Sequence, residues 1–247
     1  MCALAGKYIS ILGASTSTFD GISNSAQYNT TLPINAPYYP KPEYMDNADD
    51  TWWMRTIHAL DLRLCVNNSW SGSCITTMTD GAEKAACMLR ATQLHNDVQG
   101  IEPDIIVLMI GGNDGLRGYD VGEYHGVGDV YDAAAQAYVG DCTLFGQAYA
   151  TMVHKVQKRY PAAEIIVCSM LHWQPTKHDK GLLAYNEIIR RIAEEFGVTY
   201  ADLYNGTPIA PETAQTYLHT DGIHPNRKGF AEMAACIVRL LQEKHHG

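Results

Sequence analysis

The run Asp104-Ile105-Ile106-Val107-Leu108-Met109-Ile110 carries six apolar side chains without a polar break. A strand with one wet face alternates apolar and polar residues, so an unbroken run reads as a strand buried on both faces. Strands of that kind occur almost only in parallel sheets covered by helices on each side. The run stops at Gly111-Gly112-Asn113-Asp114, a turn signal. The C-terminal end of this strand therefore opens into a polar segment.

Shorter runs of the same character recur at 8–12, 62–66, 164–170 and 198–201, and helical spacing of apolar residues fills 51–59, 81–97, 143–159, 180–196 and 226–243. This strand–helix alternation predicts an α/β sandwich with a parallel sheet between helices. Residues 18–50 and 111–142 are too long for plain turns. Both follow strands, where a parallel sheet binds its ligands. The acidic, glycine-containing stretch 118–129 reads as a surface loop, with a lid as the alternative. With 247 residues and no low-complexity linker, residues 1–247 read as a single domain that can bury its own core without metal or disulfide.

The chain has 18 basic and 27 acidic residues, a formal charge of −9. That balance, with no local basic cluster, excludes nucleic acid as the expected partner. The seven cysteines are odd in number and scattered, which argues against a disulfide framework and for a reducing, cytoplasmic setting. No basic start followed by a long apolar stretch marks a signal peptide, and no run is long enough for a transmembrane segment. Ten histidines show no HxH, HExxH or Cys/His tetrad, so no metal site and no cofactor are expected.

Four polar clusters fall at the ends of strands. Gly13-Ala14-Ser15-Thr16-Ser17 follows the first, where a serine can present both a nucleophilic hydroxyl and an N–H for an oxyanion. The same serines could instead cap a helix. Asn67-Asn68-Ser69-Trp70-Ser71-Gly72 follows the second, and Gly72 allows close approach of backbone to a ligand. In Gly111-Gly112-Asn113-Asp114, Asn113 offers an amide donor. Asp221-Gly222-Ile223-His224-Pro225-Asn226 precedes the last helix, with Pro225 suited to the first helical position. There the Asp221 carboxylate can reach Nδ1 of His224 and free Nε2 as a base. Helix capping is the competing reading of that pair.

Taken together, in the order Ser, Gly, Asn, Asp, His, these blocks resemble the SGNH (GDSL-like) hydrolase and esterase family from Ile11 to Gly229. Residues 51–53 and 68–72 also look like segments of its bacterial members. The resemblance implies a three-layer αβα sandwich with a flavodoxin-like, doubly wound, five-stranded parallel sheet. It further implies a serine ester hydrolase with a Ser15–His224–Asp221 triad and an oxyanion hole of Ser15, Gly72 and Asn113. Its substrate would be a small-molecule ester, an acylated sugar or a lipid-like ester. The first block departs from the family's Gly-Asp-Ser, reading Gly13-Ala14-Ser15, which leaves Thr16 or Ser17 to hold the nucleophile turn. Trp70, His172 and Trp173 are candidate substrate-binding residues. Tyr38, Tyr39, Trp70 and Trp173 suit either a sugar ring or an acyl chain. Two other classes remain: a flavodoxin-like protein holding a flavin phosphate on residues 13–18, and a catalytically silent carbohydrate-binding relative.

Overall fold

The computed structural model describes residues 3–23, 37–78, 84–173 and 179–245. Strands β1 (Tyr8–Gly13), β2 (Arg63–Asn67), β3 (Ile105–Met109), β4 (Glu164–Cys168) and β5 (Thr199–Ala201) pair in parallel in the order β2-β1-β3-β4-β5. This is the flavodoxin-like doubly wound order, whose switch point lies between β1 and β3. Helices α1 (Trp52–Leu60), α2 (Gly112–Arg117), α3 (Phe145–Arg159), α4 (Asp179–Phe196) and α5 (Arg227–His245) accompany the sheet. None is long and apolar enough to cross a membrane.

The unbroken apolar strands split into two cores, because alternate side chains leave a strand on opposite faces. Ile9, Ile11, Ile105, Val107 and Ile166 pack with Trp52, Trp53 and Ile57 of α1 and Phe230, Met233 and Ile237 of α5. Leu12, Ile106, Leu108, Ile165 and Val167 pack with α3 and α4 through Phe145, Tyr149, Val153, Leu182, Ile189 and Ile192. Both tryptophans of α1 are fully buried. Thr51 sets that helix's start by accepting a hydrogen bond from Met54 N–H at 3.2 Å.

Residues 84–97 do not form the expected helix; the segment holds one 3₁₀ turn, Leu89–Thr92, and residues 81–83 of the expected span lie outside the described residues. The reason is Arg90, which is wholly buried and donates to the carbonyls of Lys84, Gly13 and Asn68. An irregular path lets Ala85, Ala86, Cys87, Ala91 and Leu94 all enter the core. A helix would have turned some of them outward. The stretch 118–129 is also no free flap. Its carbonyls at Asp120 and Val121 accept from Phe145 and Gly146 N–H. Val127 N–H donates to Glu195 at 2.7 Å. A short hairpin, Tyr131–Asp132 with Ala137–Tyr138, follows it. The six described cysteines are all buried.

Candidate active site

Register decides what meets at the C-terminal edge of the sheet. Gly13 pairs with Met109 and Ile11 with Asn67, so β1, β2 and β3 end together. The loops that start at Ala14, Asn68 and Ile110 are thereby neighbours. Ser15 opens a 3₁₀ turn, Ser15–Ser17. A Cβ at Gly13 would stand 2.6 Å from Ser17 Oγ and 2.9 Å from Ser69 Oγ, so only glycine fits there. With alanine at position 14, neighbouring residues hold the turn. Trp52 Nε1–H donates to Ser17 Oγ at 3.2 Å and Asn67 Nδ2–H to Ser17 O at 2.9 Å. The Thr18 hydroxyl donates to Ser15 O at 2.9 Å. Thr16, the other residue expected to brace the turn, lines the cavity beside it.

Ser15 Oγ lies 2.8 Å from Nε2 of His224, and Nδ1 of His224 lies 2.8 Å from Oδ2 of Asp221. With the Nδ1 proton facing the carboxylate, Nε2 is the acceptor for the serine hydroxyl. The other oxygen of Asp221 accepts from the N–H groups of Ile223 at 2.9 Å and His224 at 3.0 Å. Burial alone would raise the Asp221 carboxyl. The hydrogen bonds from His224, Tyr38 and the two N–H groups outweigh it and hold the group well below the usual carboxylate range. Helix capping belongs to another residue: Asn226 Oδ1 accepts from Lys228 and Gly229 N–H. Helix α5 begins at Arg227, so Pro225 precedes the cap and does not occupy the expected first helical position.

Two further anchors hold the loops. Asn113 Nδ2–H donates to Ser73 O at 2.9 Å, tying α2 to the loop of Gly72. Gly72 itself has φ +75°, a conformation that favours glycine. Asp114 is fully buried and accepts from Ile75 N–H, Thr76 N–H and the Thr76 hydroxyl; burial raises its carboxyl despite these donors. Arg90 fastens the same region from below. Its Nη2 donates to Gly13 O and Asn68 O, each at 2.8 Å, and its guanidinium lies 4.9 Å from the Trp70 ring. Burial lowers its pKa to about 9. A lone arginine inside an Ala/Met/Leu run was the visible sign of this buried cation, and helical spacing concealed it.

A cavity opens at this edge, lined by Ser15, Asn113 and His224 and by an apolar wall including Ile110, Leu116, Met170, Trp173 and Ile223. Of the three candidate substrate-binding residues, Trp173 lies in this wall. Trp70 is buried next to Arg90, and His172 stacks on Tyr204 with ring centroids 3.5 Å apart. Tyr38 stacks on His224 instead of facing the cavity, with centroids 3.7 Å apart and planes 11° apart.

The family profile described as GDSL-like lipase/acylhydrolase matches residues 7–241. No curated protein matches the chain. A solved structure described as a GDSL-like lipase from Bacteroides ovatus is similar at TM-score 0.70 and 24% identity, covering 97% of this chain and 99% of that one. Its counterpart from Bacteroides uniformis gives 0.68 and 23%, covering 95% and 94%. The acetylxylan esterase Axe2 of Geobacillus stearothermophilus gives 0.58 and 17%, covering 98% and 96%. At these identities the structures share the fold.

Proposed function

The chain belongs to the GDSL-like lipase/acylhydrolase family, an ester-hydrolysing enzyme by that membership, and we propose that it works by covalent catalysis at Ser15. His224 takes the Ser15 proton through Nε2 as Oγ attacks the ester carbonyl. Asp221 stabilises the imidazolium that forms. The N–H groups of Ser15 and Gly72 and the Asn113 amide hold the oxyanion. Collapse of the tetrahedral species passes the proton from His224 to the leaving alcohol and leaves an acyl-Ser15. Water, deprotonated by His224, then attacks that ester and releases the acid and the free serine.

The carrying observation is the Asp221–His224–Ser15 relay, two contacts of 2.8 Å each at the mouth of a cavity. The flavin alternative fits poorly, because the hydroxyls a phosphate would need are engaged within the protein: Ser15 with His224, Ser17 with Trp52 and Thr18 with Ser15 O. The apolar cavity wall favours an ester whose acyl group is apolar, with the alcohol part outside. This reading includes lipid-like esters and acylated sugars bearing such a chain.

The test is turnover of p-nitrophenyl acetate, butyrate and octanoate by the wild type and by Ser15→Ala. Turnover should fall about 10⁴–10⁶-fold in the variant, and the wild type should favour butyrate or octanoate over acetate. A Ser15→Ala protein with wild-type rates would sink the mechanism. A strict acetate preference would sink the acyl assignment alone.

A further inference from the structure

We propose that Tyr38 is a positioning residue for the acid–base pair, orienting Asp221 and His224 by a hydrogen bond to the first and a stacked ring on the second. The proposal rests on the triad reading above.

Tyr38 touches Asp221 and His224 directly and reaches the Ser15 turn through Thr18. Its hydroxyl donates to Asp221 Oδ2 at 2.6 Å, the same oxygen that faces His224 Nδ1 at 2.8 Å. Its ring covers the imidazole face at 3.7 Å and 11°. Its backbone N–H donates to Thr18 Oγ1 at 2.8 Å, and that hydroxyl donates to Ser15 O. One residue from the long connection after β1 thus ties the nucleophile turn to both partners of the base. The imidazole can neither tip nor rotate without losing the stack. The carboxylate cannot swing without losing two donors.

The shared oxygen has a chemical consequence. A hydroxyl donating to Asp221 Oδ2 draws charge from the oxygen that stabilises the imidazolium. Tyr38 therefore trades some ground-state stabilisation of His224-H⁺ for fixed geometry. Burial, followed by the bond to Asp221, raises the phenol itself, so it remains a donor throughout the working range. The other titratable or charged groups around the pair are Lys41, 4.9 Å from the Tyr38 ring centroid, and His219 and Tyr39, at 5.8 and 4.9 Å between centroids. Tyr44 lies against His219, with centroids 3.9 Å apart and planes tilted by 35°. Among the described residues, none of these four bonds to Asp221 Oδ2 or stacks on His224, so deleting one hydroxyl isolates the effect.

The experiment is the pH profile of kcat and kcat/KM for wild type, Tyr38→Phe and Tyr38→Leu on p-nitrophenyl butyrate. Rates are expressed per site titrated with a fluorophosphonate, so that misfolded protein does not count. Tyr38→Phe keeps the ring and should lower kcat about 10-fold with KM held. It should also move the acid limb upward by about half a pH unit or more. Tyr38→Leu removes the stack as well and should lower kcat further. A Tyr38→Phe profile superimposed on wild type, or a change in KM alone, would overturn the proposal. Ser15→Ala, which offers no hydroxyl to the fluorophosphonate and is normalised instead to folded protein by circular dichroism, separates the failures. If that variant is dead while Tyr38→Phe matches wild type, only the positioning role falls. If Ser15→Ala is active, the triad reading falls first.

Discussion

At the scale of single residues, the site is a set of short polar contacts that share atoms. Asn113 is the sharpest example. One N–H of its amide serves Ser73 O, which leaves the second for the oxyanion of the proposed mechanism, in the cavity it lines. Asn113→Ala should lower kcat about 10²–10³-fold, the loss typical of one oxyanion donor, with an unchanged circular dichroism spectrum. Turnover within threefold of wild type would remove Asn113 from the mechanism. The residue types of the relay were legible in sequence because Asp221 and His224 are three apart in one turn and Ser15 follows a strand. The contacts of Tyr38 were not. Nothing in its neighbourhood distinguishes a tyrosine that stacks on His224 from one that faces the cavity, since 183 positions separate it from Asp221. Arg90 was hidden for a related reason: its partners Gly13 and Asn68 are 77 and 22 positions away.

At the scale of elements, helices with clear caps and one apolar face were readable almost to the residue. Helix α1 was expected at 51–59 and runs over Trp52–Leu60. Its threonine cap donates to Ala48 O at 2.7 Å while accepting from Met54 N–H at 3.2 Å. Thr51→Ala should therefore destabilise the protein by about 1 kcal/mol, and Thr51→Ser by much less. Urea midpoints at constant m-value report both, and an alanine variant as stable as wild type would contradict the capping role. The segment 81–97 shows the limit of periodicity. Ala, Met and Leu at helical spacing describe an amphipathic helix in isolation, yet a buried cation with three carbonyl acceptors outweighs that local preference. The short helix α2 likewise lies in a stretch whose glycines and acidic residue signal only a turn.

At the scale of the whole molecule, the last helix is fastened back onto the sheet by charge as well as by packing. Glu164 at the start of β4 meets Lys244 at 2.9 Å and His245 at 2.7 Å in the final turn of α5. Burial by itself raises the Glu164 carboxyl, but these two partners overcome it and hold the group below the usual range. A carboxyl with a folded pKa below its unfolded value stabilises the fold above the unfolded pKa, about 4.3, and loses that contribution as pH falls further. Glu164→Gln should thus cost about 1 kcal/mol at pH 7, since Lys244 is half exposed, and progressively less as pH falls below the unfolded value. Urea midpoints measured from pH 7 to pH 3 check the convergence; a constant difference would place the effect in packing instead.

Sequence alone determined the α/β class, the five strands of the sheet, the positions of most helices and the chemical types present in the relay. Those follow from local periodicity, caps and turn residues, which act over a few positions of chain. The tertiary structure decided what spacing cannot encode: the register that brings Ser15, the Gly72 loop and Asn113 to one edge, and the burial of Arg90 beneath them. It also decided that Tyr38 faces His224 and that Trp70 lies under the site while Trp173 lines the cavity. These are contacts between residues tens to hundreds of positions apart, and their energies appear only once the sheet has assembled and excluded water from the loops above it.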